Sequence, residues 1–175
     1  DVPEQIGITP DPGPANNCSS SRYPSLSPDG EHVVFIVEDR VALAGDDGVV
    51  RNRQRLIVAD WTGSNSRAVT SVPTHGISII EATSGAGRGL KSWAWSKDST
   101  KVFFLGREAG RPYHSSEDGH DPECCGIYSV KIDGSDTELV LRSGSALFPS
   151  GAMSVSPNGK QILFEAQTEY WPEPV

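Results

Sequence analysis

At three places in the chain, a serine is followed two residues later by Asp or Asn and then by Gly or Ser, closing one apolar segment and opening the next. Tyr23-Pro24-Ser25-Leu26-Ser27-Pro28-Asp29-Gly30 precedes His32-Val33-Val34-Phe35-Ile36-Val37, and Ser92-Trp93-Ala94-Trp95-Ser96-Lys97-Asp98-Ser99 precedes Lys101-Val102-Phe103-Phe104-Leu105. The third copy is Ala152-Met153-Ser154-Val155-Ser156-Pro157-Asn158-Gly159, before Gln161-Ile162-Leu163-Phe164. Pro presets the first bend, Asp or Asn tolerates left-handed backbone angles, and Gly accepts positive φ without steric cost. Each copy therefore reads as strand, tight turn, strand. In the middle copy Lys97 and Ser99 stand where the others carry Pro and Gly, so a looser turn is expected there.

The first two copies are each followed by a second hairpin. Arg55-Leu56-Ile57-Val58-Ala59-Asp60 leads through Thr62-Gly63-Ser64-Asn65 into Arg67-Ala68-Val69-Thr70; Ile127-Tyr128-Ser129-Val130-Lys131-Ile132 leads through Asp133-Gly134-Ser135 into Glu138-Leu139-Val140-Leu141. Asp-Gly between alternating apolar runs is a strong hairpin signal. Tyr128, Val130 and Ile132 fall on one face of their strand and Ser129 and Lys131 on the other. With 18 Gly, 13 Pro and only 36% apolar residues, many short strands joined by turns suit the chain better than helices. The fold class is all-β, each repeat a four-stranded antiparallel meander.

These repeats resemble the TolB-like, WD-type propeller blade, which carries a Ser-Pro-Asp-Gly turn and later an apolar strand ending in Asp-Gly. The resemblance covers about residues 23–166 and implies a partial β-propeller with a protein-binding or gating role. Blades are expected at about 23–70, 92–142 and 152–166, followed by a C-terminal tail, after an extended, Pro-rich arm over 1–22. The turn serines stand 69 and 60 residues apart, more than the ~40–50 of common propeller repeats, so loops enlarge the blades at 38–52, 71–90, 106–123 and 143–150. Ten strands, two and a half blades, are too few to close a ring of ~4–8 blades. A continuing chain, a second copy or capping tails are the alternatives for protecting the open edge.

Long loops on a rigid scaffold are where binding residues concentrate. The richest is 111–125, in which His114, His120, Asp118 and Asp121 are candidate metal ligands beside Arg111 and Tyr113 as candidate binding residues. Imidazole and carboxylate suit a transition metal, yet the histidine spacing fits no standard ligand pattern, and a solvated acidic loop is the plainer reading. Tyr170 and Trp171 in the tail are candidate contact residues, since Trp and Tyr dominate binding hot spots. Trp93 and Trp95, two apart on one strand, are expected to pack between blades. The segment 46–48 (Asp-Asp-Gly) lacks the alternating ligands of a calcium loop, and the glycines of 85–89 match no phosphate-binding pattern. No Gly-x-Ser-x-Gly elbow occurs, and no catalytic residue is assigned.

A net charge of −8 without a basic stripe argues against nucleic acid, and no apolar run approaches the ~20 residues of a membrane-spanning helix. A start at Asp1 without Met fits an exported protein, periplasmic or extracellular. Cys18, Cys124 and Cys125 allow one disulfide, with its pairing open. The expected function is a non-catalytic, exported binding or assembly module that presents loops to a protein partner or to other copies of itself, with no cofactor apart from that candidate metal ion. The alternative is the substrate-gating propeller of a larger prolyl-oligopeptidase-type serine hydrolase.

Overall fold

A computed structural model describes residues 20–42, 50–70, 77–79, 82–83, 89–90, 92–108, 125–142 and 148–167. Among them thirteen strands and no helix are found: β1 (Ser20–Leu26), β2 (His32–Ala42), β3 (Val50–Asp60), β4 (Arg67–Ala68), β5 (Ile77–Ile79), β6 (Ala82–Thr83), β7 (Gly89–Leu90), β8 (Trp93–Trp95), β9 (Lys101–Glu108), β10 (Cys125–Lys131), β11 (Glu138–Arg142), β12 (Phe148–Val155) and β13 (Ile162–Gln167). Three antiparallel sheets follow the sequence repeat. Sheet 1 runs β1-β2-β3-β4, sheet 2 runs β8-β9-β10-β11, and sheet 3 pairs β12 with β13.

All four of the expected insertions are partly strand, 143–150 because β12 begins at Phe148. β2 and β3 stay paired without a break from His32↔Asp60 to Ala42↔Val50, so much of 38–52 extends a hairpin. Within 71–90, β5 pairs with the far end of β9 (Ile77↔Glu108), beyond the stretch that β8 covers, while β6 pairs with β7. β9 runs on to Glu108, and β1 begins at Ser20.

The sheets stack face to face. Val34, Ile36, Leu56 and Val58 on one face of sheet 1 form a core with Trp93, Trp95, Val102, Phe104, Tyr128 and Val130 on one face of sheet 2. Alternation along each strand produces this arrangement, and each such buried aliphatic or Phe side chain contributes about 1.5–3 kcal/mol. Phe104 and Tyr128 stack at 5.9 Å, and Tyr23 of sheet 1 tilts against Trp93 at 6.1 Å. Trp95 donates its indole N–H to Ser25 O at 3.1 Å, pinning sheet 2 to sheet 1.

The opposite face of sheet 2 supplies Ala94, Ile127 and partly buried Phe103 to a second core, with Met153, Val155, Ile162 and Phe164 of sheet 3. Sheet 2 is therefore apolar on both faces. This explains why Ser129, expected to point away from the buried face, is itself buried at 2% exposure. Val33, Phe35, Val37, Ile57 and Ala59 form a third cluster on the face of sheet 1 turned away from sheet 2.

Candidate functional site

The three Ser-x-Asp/Asn turns build one network three times. Ser27 Oγ donates to Asp29 Oδ1 (2.5 Å) and accepts from His32 N–H (2.9 Å), while Asp29 Oδ1 also accepts from Glu31 N–H (3.0 Å). Ser96 repeats this with Asp98 (2.6 Å) and Lys101 N–H (2.9 Å), and Ser156 with Asn158 (2.7 Å) and Gln161 N–H (3.0 Å). In each turn the two side chains accept from two backbone donors, as serine and aspartate do where the chain leaves a ladder. The middle turn is not looser. Ser99 adopts φ 60°, beside 78° at Gly30 and 72° at Gly159, and keeps the Ser99 N–H to Ser96 O bond at 3.1 Å.

Left-handed backbone is costly for serine, and the strain has a compensation: the hydroxyl of Ser99, 3% exposed, accepts from Asp29 N–H at 3.1 Å across the junction of sheets 1 and 2. At the junction of sheets 2 and 3 the corresponding residue is Gly159, which brings no hydroxyl. There an open groove of about 480 Å³ is lined by Ser96, Lys97, Asp98, Thr100, Lys101, Phe103, Asn158 and Gly159.

The second hairpins are congruent too. Gly63 and Gly134 take φ 82° and 85°, and Asn65 and Asp136 both take 51°. Asn65 Nδ2 donates to Asp60 at 2.6 Å, where the later copy has the Lys131–Asp136 ion pair at 2.5 Å. One geometry is thus held by an amide in one sheet and by opposite charges in the next. No protein-family model matches this chain, and no curated protein matches it.

Function must accordingly be read from the residues themselves. The candidates Arg111, Tyr113, His114, Asp118, His120, Asp121, Tyr170 and Trp171 lie outside the described residues, as do Cys18 and Cys124; Cys125 opens β10, its backbone alone described. Trp93 and Trp95 pack between sheets, whereas Trp61 is half exposed. A group that sequence reading missed is Asp29, Glu31 and His32, whose ligand atoms lie within 4.8 Å of one another. Its carboxylates are exposed, and Asp29 Oδ1 already accepts two hydrogen bonds within the turn. The alternation of β2 hid it, because only the turn geometry brings residues 29 and 32 together.

Serine hydroxyls, and then backbone N–H groups, hold the Asp29, Asp98 and Asp133 carboxyls below the ordinary carboxylate range. A depressed folded pKa stabilises fully above the unfolded value of ~3.9, and that contribution is lost as pH falls through the folded value. We expect the urea midpoint to decline on acidification below about pH 4. The double substitution Asp29→Asn and Asp98→Asn should shallow that decline and leave the fold intact, since Asn158 already makes the same bonds. An unchanged acid limb in the double variant would remove these turns as its source.

Proposed function

We propose that this chain is a run of consecutive blades of a TolB-like, WD-type β-propeller, acting as an exported, non-catalytic module that binds a protein partner or further copies of itself. The observation that carries this reading is the equivalence of the two junctions. Residues 102 and 104 of sheet 2 meet sheet 1, and residues 162 and 164, at the same places after the third turn, meet sheet 2. Sheet 2 thus receives its predecessor on one face and its successor on the other, which is how blades follow one another around a propeller.

Support for a binding role comes from the scaffold. Rigid, hydrogen-bonded turns stand in a row, and long connections run between strands, the usual division between framework and recognition surface. Light scattering after size exclusion, over a dilution series, tests the assembly part. A stable dimer or larger species that persists on dilution is expected if copies complete one another's ring. A monomer throughout would eliminate self-assembly and leave the protein partner, or the alternative of a gating propeller of a larger prolyl-oligopeptidase-type hydrolase.

A further inference from the structure

The third turn is built like the other two, with one change that alters its chemistry. Asn158 stands where they carry Asp29 and Asp98, and Gly159 follows it in the only Asn-Gly pair of the sequence. A side-chain amide next to a backbone nitrogen that no Cβ shields is the arrangement from which asparagine loses ammonia. Both residues are exposed. In the closed turn, however, neither reacting group is free. Gly159 N–H donates to Ser156 O at 2.8 Å, and Asn158 Oδ1 accepts from Ser156 Oγ at 2.7 Å and from Lys160 N–H at 3.0 Å. These bonds all lie inside the turn. The first turn is also tied from outside, by Ser99 accepting from Asp29 N–H, whereas among the described residues no bond from another sheet holds Asn158.

We propose that Asn158 is a deamidation site gated by local opening of the third turn, and that the reaction gives this turn the carboxylate the other two already carry. When the turn opens, hydroxide takes the Gly159 N–H proton and the nitrogen attacks Asn158 Cγ. The new N–Cγ bond closes a succinimide as the Cγ–Nδ2 bond breaks and ammonia leaves. Water then opens the ring. Addition at Cγ breaks the N–Cγ bond and restores the ordinary backbone with Asp at 158, whereas addition at the main-chain carbonyl leaves an isoaspartyl link with an extra backbone carbon. Nothing is oxidised or reduced, and the net change is an amide and a water becoming a carboxylate and ammonium. The closed turn resists the first step, because the attacking nitrogen is committed to Ser156 O and the amide oxygen is fixed by its two donors. Local opening supplies the reactive fraction. The aspartyl product refits: Asp98 Oδ1 receives from Ser96 Oγ and Thr100 N–H the same two bonds that Asn158 Oδ1 receives from Ser156 Oγ and Lys160 N–H. Its carboxylate enters a groove that Lys97 and Lys101 also line. The isoaspartyl product does not refit, since the added carbon shifts Gly159 N relative to Ser156 O. The site goes beyond the proposed propeller role and stands whether or not the sheets belong to a ring.

The test is incubation of the full chain at mildly alkaline pH, native and in urea, followed by charge-resolved separation and peptide mapping of residue 158. Asp and isoaspartate should form at 158 under both conditions, at least ~10-fold more slowly in the native chain. Hydrogen exchange at Gly159 N–H is the independent check: the slowing should match its protection factor to within about threefold, because one opening frees both reacting groups. Equal rates in the native and unfolded chain overturn the gating. Conversion faster than that protection allows places the attack in the closed turn and overturns it too, and no conversion by the time that exchange predicts it overturns the site itself. Ser156→Ala removes one of the two donors to Asn158 Oδ1 and should raise the native rate several-fold while leaving the rate in urea unchanged. An unchanged native rate in that variant, if folded, overturns the gating; should the variant fail to fold, the comparison of conversion with exchange in the parent chain decides. Asn158→Asp should keep the parent's urea midpoint at neutral pH, and a clear loss would overturn the fit of the carboxylate to this turn.

Discussion

Replacing Trp93 by alanine should cost the fold about 3–5 kcal/mol, the usual range for emptying a buried aromatic position. Trp93 is fully buried, belongs to the core between sheets 1 and 2, and meets Tyr23 ring to ring. Its removal therefore weakens the junction that joins the two complete sheets, as well as the sheet on which it stands. Trp93→Phe should behave very differently. Among the described residues no acceptor meets the buried indole Nε1 of Trp93, a burden of about 1–3 kcal/mol that phenylalanine removes while most of the ring remains. The lost volume and the removed burden offset each other, and a net change within about 1 kcal/mol is expected. Trp95→Phe is the control, because Trp95 spends its N–H on Ser25 O and that bond would be lost. Urea titration with the slope held constant measures all three. If Trp93→Phe proved as damaging as Trp93→Ala, the indole N–H would have to be bonded in solution.

Gly126 should tolerate no side chain. A Cβ there would stand 2.5 Å from Leu141 O and 2.8 Å from Leu139 Cδ1, and the first of these is backbone that cannot turn aside. The position lies in β10 beside the irregularity between Ile127 and Tyr128, where β11 closes in on it. Gly126→Ala should cost about 1–3 kcal/mol, and Gly126→Val more, by driving β11 off the sheet. Because most of β11 is exposed, its loss should be local: hydrogen exchange should accelerate across 138–142 while β9 and β10 keep their protection. Uniform acceleration over sheet 2 would mean instead that β11 is integral to the cooperative unit.

Much of this architecture was legible because it is local. Ser-Pro-Asp-Gly and Asp-Gly carry their geometry in their own side chains, so the hairpins, the meander and the inward-facing pair Trp93 and Trp95 follow from a few residues at a time. Long-range pairings were not legible. Nothing in Ile77-Ser78-Ile79 names Arg107 as the cross-strand partner of its middle residue, and nothing in Cys-Cys-Gly announces how near β11 passes to Gly126. The middle turn was misread for the same reason. Ser99 looked like a poor substitute for glycine, and the bond that repays its strain comes from Asp29, 70 residues earlier. The groove was invisible in sequence because it arises from comparing two junctions, whereas the residues that drew attention there, from Arg111 to Trp171, lie in segments outside the described sheets.

The unlike faces of each sheet give the stack a direction, as overlapping roof tiles have one. A repeat copied whole into the row would present to each neighbour the surface it already accepts, so the chain can lengthen by duplication without redesigning any existing contact. Stability in such an array is passed between nearest neighbours, and a substitution is felt in the adjoining sheet before it is felt further along. The hydroxyl of Ser99 illustrates how such copies then diverge: it bonds Asp29 N–H across one seam, and Gly159 at the same place in the next seam carries none.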